Sequence, residues 1–339
     1  MTALQRVMAA IEGKMQARPP FTMTLSLYGA RLTSCPLSEY FSNPVRYAAG
    51  QEAVLDFCRP DIIFAPFVLT YEAAAFGSEL HWPQDCPPNV RKPAVKSAEE
   101  FLKLPVPDPD TDKHLLFIRE SVRLLAERLK GQTPICGIVT APVDLPMLVM
   151  GIDTWIDTLI NRPETARAVL DMTTQYFAAY ANALFADGAA FIALPMTFTN
   201  PALVYKKLID EMLLPALNKA FKLIKGPIVF HHGGSRIATF LSDFAALPNV
   251  AGFTLDPRDS FADARTKVGT ECLLLGNLNG LTLNAGSTEE LCKKVTNILA
   301  DRSTDPHFIF ATSGADIPLS TPPERIKAIA DLIQAGWVR

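Results

Sequence analysis

No two cysteines of this chain form a CxxC pair. The six lie scattered at positions 35, 58, 86, 136, 272 and 292. Neither a disulfide framework nor a cysteine-only zinc site is indicated, and free thiols fit a reducing cytoplasm. An excess of either charge is missing too: 32 Lys and Arg face 35 Asp and Glu, a net charge of −3. That leaves no footprint for nucleic acid or for an acidic membrane surface. No apolar run reaches the length of a membrane span. The first stretch, Met1 to Lys14, reads as an amphipathic helix with Glu12 inside it and not as a signal peptide. Histidine is scarce, with five in 339 residues. His81, His114 and His307 stand alone, whereas His231 and His232 are adjacent.

Hydrophobic residues make up 49% of the chain, enough for one large core. They fall into an alternating rhythm. Strand-like runs begin near 21, 62, 135, 190, 227, 250, 272 and 308. Helical patterns lie between them, for example 44–58, 113–130, 162–186, 201–225 and 237–247, and a last helix opens at Pro322-Pro323. Ser287 and Glu290 have capping-box spacing at the start of another. Eight strands with helical connections predict a single (β/α)8 TIM-type barrel over 1–339. An open doubly wound sheet would carry a glycine-rich phosphate turn after its first strand, and Tyr28-Gly29-Ala30-Arg31 is not one. Residues 78–110 hold seven of the 27 prolines and read as an irregular excursion over one face.

In such a barrel the site lies at the C-terminal strand ends. Those ends carry Tyr28 and Arg31; Pro66, Phe67 and Glu72; Thr140 and Asp144; Thr197, Thr199 and Asn200; His231 and His232; Asp256 and Arg258; Asn277 and Asn279; Ser313 and Asp316. Taken singly, each is a common cap or turn residue. Together they predict a polar pocket with acceptors, amides and one or two cations. Strand alternation sets the side chains of 229, 231 and 233 on one face. His231 is thus expected in the barrel mouth, with Asp256, Asn277 and Asp316 near it, and His232 toward the helices.

The chain resembles the uroporphyrinogen decarboxylase superfamily. The resemblance runs through Asp61-Ile62-Ile63-Phe64 leading to Ala73-Ala74-Ala75-Phe76-Gly77, and through Thr140-Ala141-Pro142. It is most specific at Val229-Phe230-His231-His232-Gly233-Gly234, at Gly276-Asn277-Leu278, and at Ser313-Gly314-Ala315-Asp316-Ile317-Pro318 before Thr321-Pro322-Pro323-Glu324-Arg325-Ile326. It implies a distorted (β/α)8 barrel. The branch it leans toward, methylcobamide:coenzyme M methyltransferases, uses zinc held by His-x-Cys and a later Gly-Cys segment. Here His231 stands, but Gly233 and Ala315 take the cysteine positions, so zinc is not expected. A metal site rebuilt from His231 with Glu211, Asp256 or Asp316 is the alternative. The decarboxylase pattern departs as well: its strand-two aspartate falls on Pro66, its tyrosine near Leu148, its late histidine on Ala315, and its paired arginines shrink to Arg31.

The resemblance with these departures implies a corrinoid-dependent methyltransferase that does not use a zinc-activated thiol. The corrinoid would be carried by a partner protein, and a reduced pterin or a methylated small molecule would be the other substrate. His231, Asp316 and Asp256 would be catalytic. Tyr28, Arg31, Asp144, Thr197, Asn277, Asn279 and Ser313 would bind substrate. A decarboxylase or lyase for another carboxylated substrate, with Arg31 on the carboxylate, is the second reading. A non-catalytic barrel that binds a corrinoid or tetrapyrrole is the third. The sequence leaves homodimerisation open.

Overall fold

The computed structural model describes residues 1–197 and 203–337. Its strands in chain order are β1 (Phe21–Thr22), β2 (Ile63–Phe64), β3 (Glu79–His81), β4 (Asn89–Lys92), β5 (Ile135–Ile138), β6 (Phe191–Pro195), β7 (Ile228–His231), β8 (Val250–Thr254), β9 (Leu273–Asn279) and β10 (Phe308–Ser313). Eight of them form one parallel sheet in the order β1-β10-β9-β8-β7-β6-β5-β2. The two ends of that order meet. Asp61 N–H donates to the Phe21 carbonyl at 2.8 Å, and Thr22 Oγ1 donates to the Ile62 carbonyl at 2.9 Å. The Asp61 carboxylate clasps the seam, accepting from Phe21 N–H and from the guanidinium groups of Arg6 and Arg18. The result is the expected barrel.

Alternation sorts the core into two layers. Val229, Leu273, Leu275, Ile309 and Ala311 fill the barrel together with Ile62, Cys136 and Ile138. The helix Ala3–Ile11, opened by a Thr2–Gln5 capping box, adds Val7 and Ala10 to this interior. The neighbours that point outward join the larger layer under the helices. Phe230 is one, stacked on Phe244 at 4.6 Å and on Phe253 at 5.6 Å. Burying such a ring stabilises the fold by about 1.5–3 kcal/mol, and it fixes the next residue, His231, toward the barrel interior.

Three expectations change in detail. The strand expected to begin near 21 is only two residues long, because side chains replace the backbone ladder beyond Thr22. Thr24 N–H donates to Thr312 Oγ1 and Leu27 N–H to the Asp316 carboxylate, both at 2.9 Å. The helix expected over 237–247 is a 3₁₀ turn, Ala238–Phe240, followed by Leu241–Ala245. The stretch 78–110 is not wholly irregular. It holds the antiparallel hairpin β3–β4 and the short helix Ala98–Phe101, and Thr70 Oγ1 anchors the hairpin loop by donating to the Pro88 carbonyl at 2.7 Å. No described helix is long and apolar enough to cross a membrane.

Candidate active site at the barrel mouth

A cavity of about 590 Å³ opens at the C-terminal strand ends. Its apolar wall includes Leu27, Phe67, Leu69, Leu281 and Pro318, and its polar groups include Thr197, His231 and Asp316. Residues 85–88 of the hairpin loop form one side of the opening. No Lys or Arg lines it among the described residues.

The His231 Nδ1 accepts the N–H of Gly233 at 3.1 Å. A ring whose Nδ1 lone pair is so engaged carries its proton on Nε2. Nε2 has no hydrogen-bond partner among the described residues. Burial and the neighbouring His232 push this imidazole down to about 3, outweighing the Gly314 backbone and Asp256. His231 is therefore a neutral ring with a spare N–H donor, not an imidazolium. The Asp316 carboxyl is buried and receives Leu27 N–H, yet no Lys or Arg lines its cavity among the described residues. Burial raises it to about 7 against the hydrogen bonds from Leu27 and Ser26. A carboxyl poised near neutrality is suited to giving and taking a proton.

His232 and Asp256 lie in a second, adjoining cavity of about 310 Å³, with Arg258, Asn279, Leu281 and Ser313. The expectation that Asp256 and Asn277 would join His231 and Asp316 is thus corrected: Asp256 lines a second compartment and Asn277 lines neither. The two histidine rings stack at the boundary, 4.6 Å apart. Asp256 is committed to Arg258, whose Nε and Nη2 donate to it at 2.6 and 2.9 Å. Burial alone would raise Asp256, but these bonds, the Arg258 backbone N–H and the nearby charges hold it below the usual carboxylate range. His232 Nδ1 lies 3.2 Å from Asp256 Oδ2 and accepts Gly234 N–H at 3.0 Å. Only the latter meets the geometry of a hydrogen bond, so the proton belongs on Nε2 here as well. Burial lowers the His232 pKa more than Asp256 and Asp259 raise it.

Other expected site residues serve the frame. The Tyr28 hydroxyl donates to the Thr321 carbonyl at 2.7 Å, and Arg31 is spent on the Leu319 and Thr321 carbonyls, outside the cavity. Neither is placed to hold a substrate in the mouth, because both pin the 319–321 turn to the first βα loop. Asp144 accepts Thr197 N–H at 2.8 Å and so positions that cavity residue. The Asn277 amide donates to the carbonyls of Asp256 and Asp259. Ser313 donates to the Leu255 carbonyl at 2.6 Å while facing the smaller cavity. Glu72 is buried behind the wall on Thr140 and is raised to about 8 by desolvation. Glu211 is exposed beside Lys207 on a helix and joins neither cavity. Thr199 and Asn200 lie outside the described residues. Sequence reasoning missed the hairpin loop as a wall; the only signal for it was Pro87-Pro88 inside a proline-rich stretch.

At position 233 the φ angle is +61°, and a Cβ would stand 2.5 Å from the Met196 carbonyl. Cysteine does not fit there on this backbone. Among the described residues no three His, Cys, Asp or Glu side chains converge as a metal site.

The family model for uroporphyrinogen decarboxylase (URO-D) matches residues 2–336. The chain belongs to the URO-D family. Among curated relatives, a uroporphyrinogen decarboxylase of Alkalilimnicola ehrlichii is 29% identical over 70% of this chain and 67% of its own length. A methylated-thiol–coenzyme M methyltransferase of Methanosarcina mazei is 23% identical over 97% of this chain and 88% of its own. In structure, a methyltransferase from Methanosarcina mazei superimposes with a TM-score of 0.85 at 22% identity, covering 98% of both chains. That likeness shows the fold of this URO-D family member.

Proposed function

We propose that this URO-D family protein transfers a methyl group between a corrinoid on a partner protein and a small molecule bound in the larger cavity, without a zinc-activated thiol. The observation that carries the reading is the pairing, in one apolar cavity, of a neutral N–H donor on His231 with the near-neutral carboxyl of Asp316. A second support is negative: a porphyrinogen bearing many carboxylates needs several cations, and none of the described cavity residues is Lys or Arg. Among the relatives matched over most of their length, two methyltransferase names support the same reading, beside one decarboxylase.

A cavity of about 590 Å³ has the size of a small-ligand site. A corrinoid would therefore meet the mouth from outside, against the apolar rim made by Phe67, Leu69, Leu281 and Pro318. When docked there it supplies the methyl-carrying metal centre. The residues of this chain do the rest. The cavity wall excludes water, His231 Nε2–H holds an acceptor atom of the small molecule, and Asp316 takes a proton from it or returns one as its methyl group arrives or departs. Gly233, which leaves no room for a cysteine, and the spare proton on His231 Nε2 both weigh against a zinc-bound thiol. A cytoplasmic location belongs to this reading and is supported by six free cysteines.

The test is anaerobic incubation of the purified chain with methylcobalamin and candidate acceptors, followed in the visible spectrum. Demethylation that needs the chain and fails in Asp316→Asn supports the reading. Carbon dioxide release from a carboxylated substrate, with no methyl transfer in either direction, would replace it by the decarboxylase. Corrinoid binding without turnover would leave the non-catalytic barrel.

A further inference from the structure

The smaller cavity takes no part in the chemistry proposed above, yet three hydrogen-bond donors on its wall have no partner among the described residues. His232 is buried, forms part of the wall, and its Nε2 has no partner among the described residues. With Nδ1 accepting Gly234 N–H, that Nε2 carries a hydrogen. Arg258 uses Nε and Nη2 on Asp256 and on the Gly234 carbonyl, and Nη1 makes no bond among the described residues. Asn279 Oδ1 accepts Leu281 N–H at 3.1 Å, which leaves the amide N–H groups of Asn279 without a partner among the described residues. Among the acceptors, Asp256 already takes three hydrogen bonds from Arg258, while Ser313, whose one proton goes to Leu255, keeps its oxygen as an acceptor on the wall. A buried donor without an acceptor costs about 1–3 kcal/mol, so an orphan such as His232 Nε2 beside a cavity signals a missing acceptor.

We propose that this cavity is a subsite for one oxyanion, a carboxylate or a phosphate, carried as an arm of the small molecule whose reacting end occupies the larger cavity. Gly234, Leu281 and Gly314 line both compartments, so the two adjoin and one molecule can span them. The Asp256–Arg258 pair is internally neutral, and the site has room for one negative group rather than many. The inference rests on the reading of the larger cavity as the substrate site, but it is tested by binding alone.

The probes are propyl phosphate, inorganic phosphate and 1-propanol, titrated into the full chain by calorimetry and by NMR of the histidine ring nitrogens. Propyl phosphate is expected to bind at least about tenfold more tightly than either partial probe and to shift the His232 resonances. In Asn279→Asp the Oδ1 bond to Leu281 is kept, while a carboxylate replaces the amide donor. This variant is expected to lose at least about tenfold in propyl phosphate affinity with an unchanged melting temperature. His232→Asn, which removes the ring donor, is a second variant with the same expectation for affinity. Equal affinity for propyl phosphate and propanol, equal affinity for propyl phosphate and inorganic phosphate, or unchanged affinity in Asn279→Asp would each overturn the proposal. Loss of methyl transfer chemistry with this binding pattern intact would sink the proposed function and leave the oxyanion site standing.

Discussion

Asp316 and Asp256 occupy the same rim of the same barrel, each just beyond a strand end, and both are almost fully buried. Their surroundings push them in opposite directions. Asp316 has backbone N–H groups and, among the described residues, no cation in its cavity, and rises to about 7; Asp256 has Arg258 wrapped on it and falls. Two identical side chains thus divide the labour: one is left able to exchange a proton, and the other is locked as an ion. The histidine beside each aspartate follows the same division. His231 shares its cavity with Asp316, and His232 stands against the locked pair. The environment, and not the residue type, decides which group is available for chemistry.

The largest expected effect compares the two aspartates in turnover. Asp316→Asn keeps an oxygen for Leu27 N–H but loses the titrating proton, and is expected to cut methyl transfer by about 10²–10⁴. Asp256→Asn, one compartment away, is expected to cost less than about tenfold. Equal losses in the two variants would break the comparison. A second, smaller effect is on stability against pH. The folded pKa of Asp316 lies above its unfolded value of about 3.9, so the folded state binds more protons between about pH 4 and 7. Asp316 therefore lowers stability progressively as pH rises through that window. The melting temperature of Asp316→Asn relative to the parent is expected to climb across it and then level off. Glu72 is also raised and is common to both proteins, so the difference isolates Asp316. Asp256 works in reverse: it contributes stability above its unfolded pKa that is lost as pH falls through its lowered folded value. Asp256→Asn should thus lose its difference from the parent only in acid.

The smallest effect sharpens the cause. Arg258→Gln removes the partner that holds Asp256 down, and carboxyl carbon NMR is expected to show Asp256 titrating higher, toward the behaviour of Asp316. An unchanged titration would mean that Arg258 is not what separates the two.

Much of the architecture was legible in the sequence, because strand rhythm and period-two alternation are local. The eight strands, their order along the chain and the inward face of His231 all follow from runs of a few residues, such as Ile228–His231. The division of the rim was not legible. It depends on contacts such as Leu27 with Asp316 and Asn277 with the Asp256 carbonyl, between segments that no local pattern relates. Arg31 shows the limit most plainly. As the lone arginine near the first strand end it read as a carboxylate clamp, but the turn at 319–321 supplies carbonyls that claim it. The hairpin β3–β4 was hidden by its prolines, which signal turns without saying that two strands flank them.

Gly233 limits what can be built at this site. Any side chain at that position meets the carbonyl of Met196, so a point mutation to cysteine there is expected to be tolerated only if the backbone just beyond β6 shifts as well. Laboratory evolution started from this chain should therefore diversify the wall residues of the two compartments one at a time far more readily than it installs a His-x-Cys metal pair, which would need two coordinated changes.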